Sequence, residues 1–160
     1  MSKAEDYKGN YKRERNFQVN LVVVGKDSSL YDSLKSLSLP SNFNIFFCGQ
    51  EEDILSFIES HFIRVSLLDM KEGGKDELHL LQKLKDFDSL LEVIIAGPPI
   101  PSEEVMNWIN KGATDYLVKP IVLEKVQAVL DRIAKKGVLR RKTFLLEKKY
   151  QLIRIMSDIP

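Results

Sequence analysis

Three residues in this chain of 160 stand where chemistry is possible: Asp27, Asp69 and Lys119, each at or just after the end of a short apolar run. Leu21-Val22-Val23-Val24 leads into Gly25, Lys26 and Asp27. Val65 to Leu68 stops at Asp69, Val93 to Ala96 closes on Gly97, and Asp115 to Val118 leads into Lys119. An ammonium beside a carboxylate keeps both ionised and hydrogen-bonded without help from a metal. Acyl or group transfer by a nucleophile needs a base beside it, and dinucleotide binding needs a glycine-rich loop; these run ends supply neither. His61 and His79 stand alone without metal-ligand spacing and read as surface or packing residues. Gly73-Gly74 is a turn signal. Cys48, the single cysteine, lies in an apolar run and reads as a buried structural thiol. With one cysteine no internal disulfide is possible, and a reducing compartment fits.

The elements that must position these residues follow from periodicity. Asn20–Val24, Phe43–Cys48, Val65–Leu68, Val93–Ala96 and Asp115–Val118 are short apolar runs of the kind buried on both faces of a sheet. Between them lie amphipathic stretches. Leu30, Leu34 and Leu37 share one face until Pro40, after caps offered by Asp27, Ser28 and Ser29. Ile54, Phe57, Ile58 and His61 mark a helix over Glu51–His61. Leu78, Leu81 and Leu84 or Leu80 mark another over Asp76–Lys85. Ser102 caps one that carries Val105, Trp108 and Ile109 inside, and Val126, Val129, Leu130 and Ile133 mark a fifth over Leu123–Lys135. Strand and helix alternate throughout, which demands parallel strands with right-handed crossovers: an α/β, doubly wound five-stranded parallel sheet. Sites in such sheets lie at the carboxyl ends of the strands, which is where Gly25, Lys26, Asp27, Asp69, Gly97 and Lys119 fall.

Composition narrows the function classes. Apolar residues make up 44% and charged residues 29%, and 24 Lys and Arg balance 23 Asp and Glu. Such a balance gives no global electrostatic case for nucleic acid or an anionic membrane as partner. No apolar run approaches the ~20 residues of a membrane span, and residues 1–17 form a charged tail without the apolar stretch of a signal peptide. A cytoplasmic protein is expected. The basic cluster of the tail, Lys12, Arg13 and Arg15, is interrupted by Glu14 and reads as a solvated tail.

Three stretches carry a family resemblance over about Asn20 to Lys136. They are Val23-Val24-Gly25-Lys26-Asp27-Ser28-Ser29-Leu30, then Leu67-Leu68-Asp69-Met70 followed by Leu78 and Leu80-Leu81, and finally Gly112-Ala113-Thr114-Asp115-Tyr116-Leu117-Val118-Lys119-Pro120. The last is the most specific, because it places a lysine fifty residues after a strand-terminal aspartate. In these stretches the chain resembles CheY-like receiver domains of response regulators, which have the flavodoxin-like fold. The resemblance implies that a histidine kinase passes a phosphoryl group to an aspartate with the aid of magnesium. Two acidic residues and the acceptor hold the metal, while a lysine and a hydroxyl hold the phosphoryl oxygens. Carried onto this chain, Asp69 is the phosphoacceptor candidate, Lys119 the phosphoryl-contact lysine and Tyr116 the switch aromatic. The acidic pair falls on Gly25 and Lys26, with Asp27 one residue later, and the switch hydroxyl falls on Gly97, next to Ala96. The pocket is therefore degenerate. Lys26 puts a cation where the metal would sit, and no metal is expected; if Mg2+ binds, Asp27 and Asp69 are its ligands, with Glu72 as a substitute.

Beyond the fifth helix the chain continues past Gly137 as a helical extension, 137–160. Leu139, Leu146 and Ile153 recur every seven residues, with Tyr150 and Met156 between them. This resembles the signalling linker of NtrC-type transcription activators, which leads to an output domain, here expected to be missing. The resulting expectation is a degenerate receiver over 18–136 acting by protein–protein interaction. It is expected to form a homodimer through its fourth and fifth helices and the extension, with a sensor histidine kinase as a further partner, and not to be an enzyme. The alternative is a working phosphoacceptor on Asp69, and an enzyme on the same architecture or a nucleic-acid binder stands further off.

Overall fold

The computed structural model describes residues 18–49, 53–71 and 73–157, without the side chains of 138–145, 147 and 148. The tail 1–17, Glu51, Glu72, the side chain of Leu139 and residues 158–160 lie outside the described residues.

Each apolar run forms a strand. β1 (Val19–Gly25), β2 (Phe43–Gly49), β3 (Ile63–Asp69), β4 (Glu92–Gly97) and β5 (Asp115–Val118) make one all-parallel sheet in the order β2-β1-β3-β4-β5. Strands of Val, Leu and Ile without polar alternation suit a sheet covered on both faces. Accordingly β3 and β4 are buried almost from end to end. The helices are α1 (Ser29–Ser36), α2 (Ile54–Ser60), α3 (Lys75–Phe87), α4 (Ser102–Asn110) and α5 (Leu123–Ser157). This is the expected doubly wound sheet. The strands run slightly past the apolar runs, so that Gly25, Asp69 and Gly97 become the last residues of β1, β3 and β4.

Register brings those ends together. Val24 lies opposite Leu68, Asp69 opposite Ala96, and Gly97 opposite Val118, so the carboxyl ends of four neighbouring strands line one edge. Alternate strand residues face opposite sides of a sheet. Val22 and Val24 of β1, Leu68 of β3 and Val93 and Ile95 of β4 form one core cluster. Ile54 and Ile58 of α2 and Leu81 and Leu84 of α3 belong to the same cluster, and Cys48 is buried in it. Burying such a Leu or Ile side chain contributes roughly 1.5–3 kcal/mol each, and this packing holds the strand ends in place.

Several local expectations need correction. Val105, Trp108 and Ile109 are only half-buried, and α4 has no fully buried residue. Pro101, not Ser102, is the cap of α4, and Ser102 is its first helical residue. Ser28 caps α1 without accepting from a helix amide, its hydroxyl donating instead to Asp32 Oδ2 at 3.0 Å, and Asp27 accepts from the Ser29 amide at 3.0 Å. α2 begins later than Glu51, because the Asp53 carboxylate accepts from the amides of Leu55 and Ser56 and fixes the start.

The chain divides into two compact units, one ending at Val126 and one beginning at Gln127. α5 continues through Gly137 without a break, and a Cβ at that glycine would meet nothing within 4 Å. In the second unit Leu146, Tyr150, Leu152, Ile153, Ile155 and Met156 are exposed. Among the described residues no helix is long and apolar enough to cross a membrane.

Candidate functional site

Asp69 ends β3 with its carboxylate inside the protein, 2% exposed. Its Oδ1 accepts a hydrogen bond from the Lys119 Nζ, which also donates to the Met70 carbonyl at 3.2 Å. Lys119 reaches there because β5 ends one residue before it and lies beside β4, while its own amide donates to the Gly97 carbonyl at 2.8 Å. The Asp69 Oδ2 is buried and has no hydrogen-bond partner among the described residues. It faces Gly25: a Cβ built there would lie 3.2 Å from the Asp69 Cβ, 3.3 Å from its Oδ2 and 3.2 Å from the Asp27 carbonyl oxygen. Any side chain at residue 25 would therefore crowd the carboxylate.

Lys26, expected to put a cation where the metal would sit, is exposed, and the ammonium that meets Asp69 is that of Lys119. The acidic loop is neutralised by a residue the sequence reading missed. Lys71 Nζ forms an ion pair with Asp27 Oδ2, and Ser29 donates to Asp27 Oδ1 from both its amide and its hydroxyl. These bonds, Lys71 first, hold the Asp27 carboxyl well below the usual carboxylate range. The Asp27 bond chiefly, and the charges of Asp27 and Asp69 besides, raise the Lys71 ammonium in turn. The available signal was position alone, since a lysine two residues beyond a strand-terminal aspartate leaves the sheet at the same edge.

Gly97 and Tyr116 meet in a way that explains both residue types. Tyr116 is 8% exposed and lies inward, in the core cluster. Its hydroxyl donates to the Pro98 carbonyl. A Cβ at Gly97 would sit 2.5 Å from the Tyr116 hydroxyl oxygen and 2.7 Å from the Met70 methyl, so the inward ring requires a glycine. Burial, then the charge of Glu104, raises the Tyr116 phenol above its ordinary range. The contact chain continues toward α4. A Cβ at Gly74 would lie 2.7 Å from the Met70 sulfur and 2.8 Å from the Trp108 ring, and Gly74 has the left-handed φ of +69° that favours glycine. Met70 thus links Tyr116 to Trp108.

The magnesium that the resemblance implies does not fit these residues. A hard divalent cation takes near-octahedral oxygen ligands, usually one or two free carboxylates plus waters. Here Gly25 offers no carboxylate, Asp27 is held by Lys71, and one oxygen of Asp69 is held by Lys119. Among the described residues no group of three or more His, Cys, Asp or Glu gathers to hold a metal. Asp27, Asp69, Lys71 and Lys119 instead make a charge-balanced set, two carboxylates and two ammonium groups.

No family model matches the chain. Among curated proteins it is 25% identical over 126 residues to the two-component response regulator ARR14 of Arabidopsis thaliana, covering 78% of this chain and 33% of that protein. It is 29% identical over 120 residues to the transcriptional regulatory protein MalR of Bacillus subtilis, covering 74% and 51%. The chain thus spans a third to a half of the length of these relatives. Among solved structures it superposes on the CheY-like protein TadZ of Pseudomonas aeruginosa with a TM-score of 0.63 at 17% identity, covering 72% of this chain and 99% of that one. NtrX of Brucella abortus gives 0.68 at 20% identity over 84% and 30%. The fold is that of CheY-like receivers.

Proposed function

We infer that this chain, with its CheY-like receiver fold and its response-regulator relatives, is a degenerate receiver in two-component signalling that works by protein association rather than phosphoryl transfer. One observation carries the reading: Gly25 stands where a metal-holding carboxylate is required, and the neighbouring Asp27 is paired with Lys71. An aspartate attacks a phosphoryl group only if the developing charge is neutralised and the groups are held in line. A pocket that lacks a carboxylate at Gly25 and has Asp27 tied to Lys71 does not gather the metal that would supply this. The domain has no turnover of its own, resides in the cytoplasm and controls an attached output domain. It pairs with a second copy through its fourth and fifth helices, the latter including the extension that bears Leu146 and Ile153, and a sensor histidine kinase is a further partner.

The second reading, a working acceptor, has one observation in its favour: the second oxygen of Asp69 is unpartnered. Magnesium titration, followed by amide NMR and by the fluorescence of Trp108, separates the two, with and without beryllofluoride as phosphoryl mimic. A silent spectrum is expected. Shifts gathered at Asp27, Asp69 and Lys119 at millimolar magnesium would overturn the degenerate reading in favour of the acceptor.

A further inference from the structure

We propose that Lys71 is the resident cation of this site, its ammonium standing permanently in the place of a metal ion between the loop after β1 and the end of β3. The inference deepens the degenerate-receiver reading and rests on it. The geometry is built from both sides. Gly25 ends β1, and the point where its Cβ would lie is 3.2 Å from the Asp27 carbonyl oxygen and 3.3 Å from Asp69 Oδ2. The Asp27 loop and the Asp69 carboxylate therefore border one small space. Lys71 follows Asp69 by two residues and reaches across to the Asp27 carboxylate. Its charge also feels Asp69, which supports the same placement.

The charge count explains why such a residue suits this pocket. Asp69 has Lys119 as partner. Asp27 without Lys71 would leave one unpaired carboxylate beside a buried one, an arrangement that attracts a cation from solution. A lysine supplies that charge covalently and cannot dissociate, so the site no longer depends on the concentration of any ion. Lys71 and Asp27 are both solvent-exposed, so the ammonium exchanges freely with water while remaining tethered.

The test is manganese(II) broadening of amide NMR signals in the full chain, a sensitive probe for weak divalent binding, compared across Lys71→Gln, Lys71→Arg and the double variant Lys71→Gln with Asp27→Asn. Lys71 lies on the surface, so the fold is expected to survive, and the dispersion of the same spectra verifies it. The proposal expects Lys71→Gln to bind manganese at least tenfold more tightly than the parent, with broadening centred on Asp27 and Asp69. Lys71→Arg should stay as silent as the parent, and Asp27→Asn should remove the gain. A parent and a Lys71→Gln variant that are equally silent would overturn the role of Lys71 while leaving the degenerate reading standing. Tight, localised binding by the parent itself would overturn both.

Discussion

Replacing Gly97 with alanine tests whether Tyr116 is held inward by an absent side chain. The added Cβ would lie 2.5 Å from the Tyr116 hydroxyl oxygen and 2.7 Å from the Met70 methyl, where ordinary contact begins near 3.5 Å. Met70 is flexible and yields cheaply, but the phenol ring is rigid and must tilt as a whole. Overpacking of this kind costs about 1–3 kcal/mol, and tilting the ring also strains its bond to the Pro98 carbonyl, a contribution of about 1 kcal/mol. Against this, alanine restricts the unfolded chain and returns about 0.4–1 kcal/mol. The net expectation is a loss of about 1–3.5 kcal/mol. In a chain of this size that lowers the melting temperature by about 2–14 °C, or the urea midpoint by roughly 0.5–2 M with the slope unchanged. The emission of Trp108 should shift as well, because Met70 joins Gly97 to the indole. Denaturation of Gly97→Ala, Tyr116→Ala and the double variant then isolates the pairwise term. In the Tyr116→Ala background the methyl meets no ring, so Gly97→Ala should be neutral or stabilising. Should Gly97→Ala instead stabilise the parent by its entropic increment, with Trp108 unmoved, the inward packing of Tyr116 over Gly97 is refuted.

Asp69→Asn keeps the shape of the residue but faces the Lys119 ammonium with a neutral amide. Breaking a buried pair from one side costs about 3–5 kcal/mol when both charges are enclosed. Lys119 is 30% exposed at its side chain and rehydrates, so a loss of about 1–2 kcal/mol in urea denaturation is expected, with association of the chain unchanged by sedimentation. Asp27, whose pKa is depressed chiefly by Lys71, contributes stability that is present above the unfolded value near ~3.9 and is lost only as pH falls through the lower folded value. Carboxyl carbon NMR should accordingly find it still ionised at about pH 3, below the ordinary aspartate value, and Lys71→Gln should move its titration upward. Tyr116 runs the other way. Its raised folded pKa gives stability that is complete below the unfolded value near ~10 and is lost as pH rises through the folded one. The phenolate absorbance removed by Tyr116→Phe should therefore be the last tyrosine signal to appear on alkaline titration.

Much of this architecture was legible because the signals were local. Five apolar runs without alternation, separated by helical periods, leave almost no topology except a doubly wound parallel sheet, and the strand ends then name Asp69, Gly97 and Lys119 as neighbours. Helix boundaries were less legible, since caps depend on geometry: Asp53 decides the start of α2, and nothing in the spacing distinguishes it from Glu51. α4 looked like a core helix because Val105, Trp108 and Ile109 have the right period, yet period cannot tell a half-buried face from a buried one. The ion pairs were least legible of all. Lys26, Lys71 and Lys119 were equally available to Asp27 and Asp69 by charge, and only the direction in which each leaves its strand selects Lys71 for one and Lys119 for the other. The same holds for Gly97, whose missing side chain read as the loss of a hydroxyl until the Tyr116 ring was found in its place.

That ring has a consequence for time. A phosphoryl group on an aspartate is a clock, started by a kinase and stopped by hydrolysis, and a population of such domains encodes a message as the fraction modified at a given moment. On the proposed reading of a degenerate receiver, a tyrosine seated over a glycine would replace that clock with a fixed arrangement. The message would then be adjusted by how many copies are made and removed, on the slow scale of synthesis and degradation rather than the fast one of phosphoryl turnover.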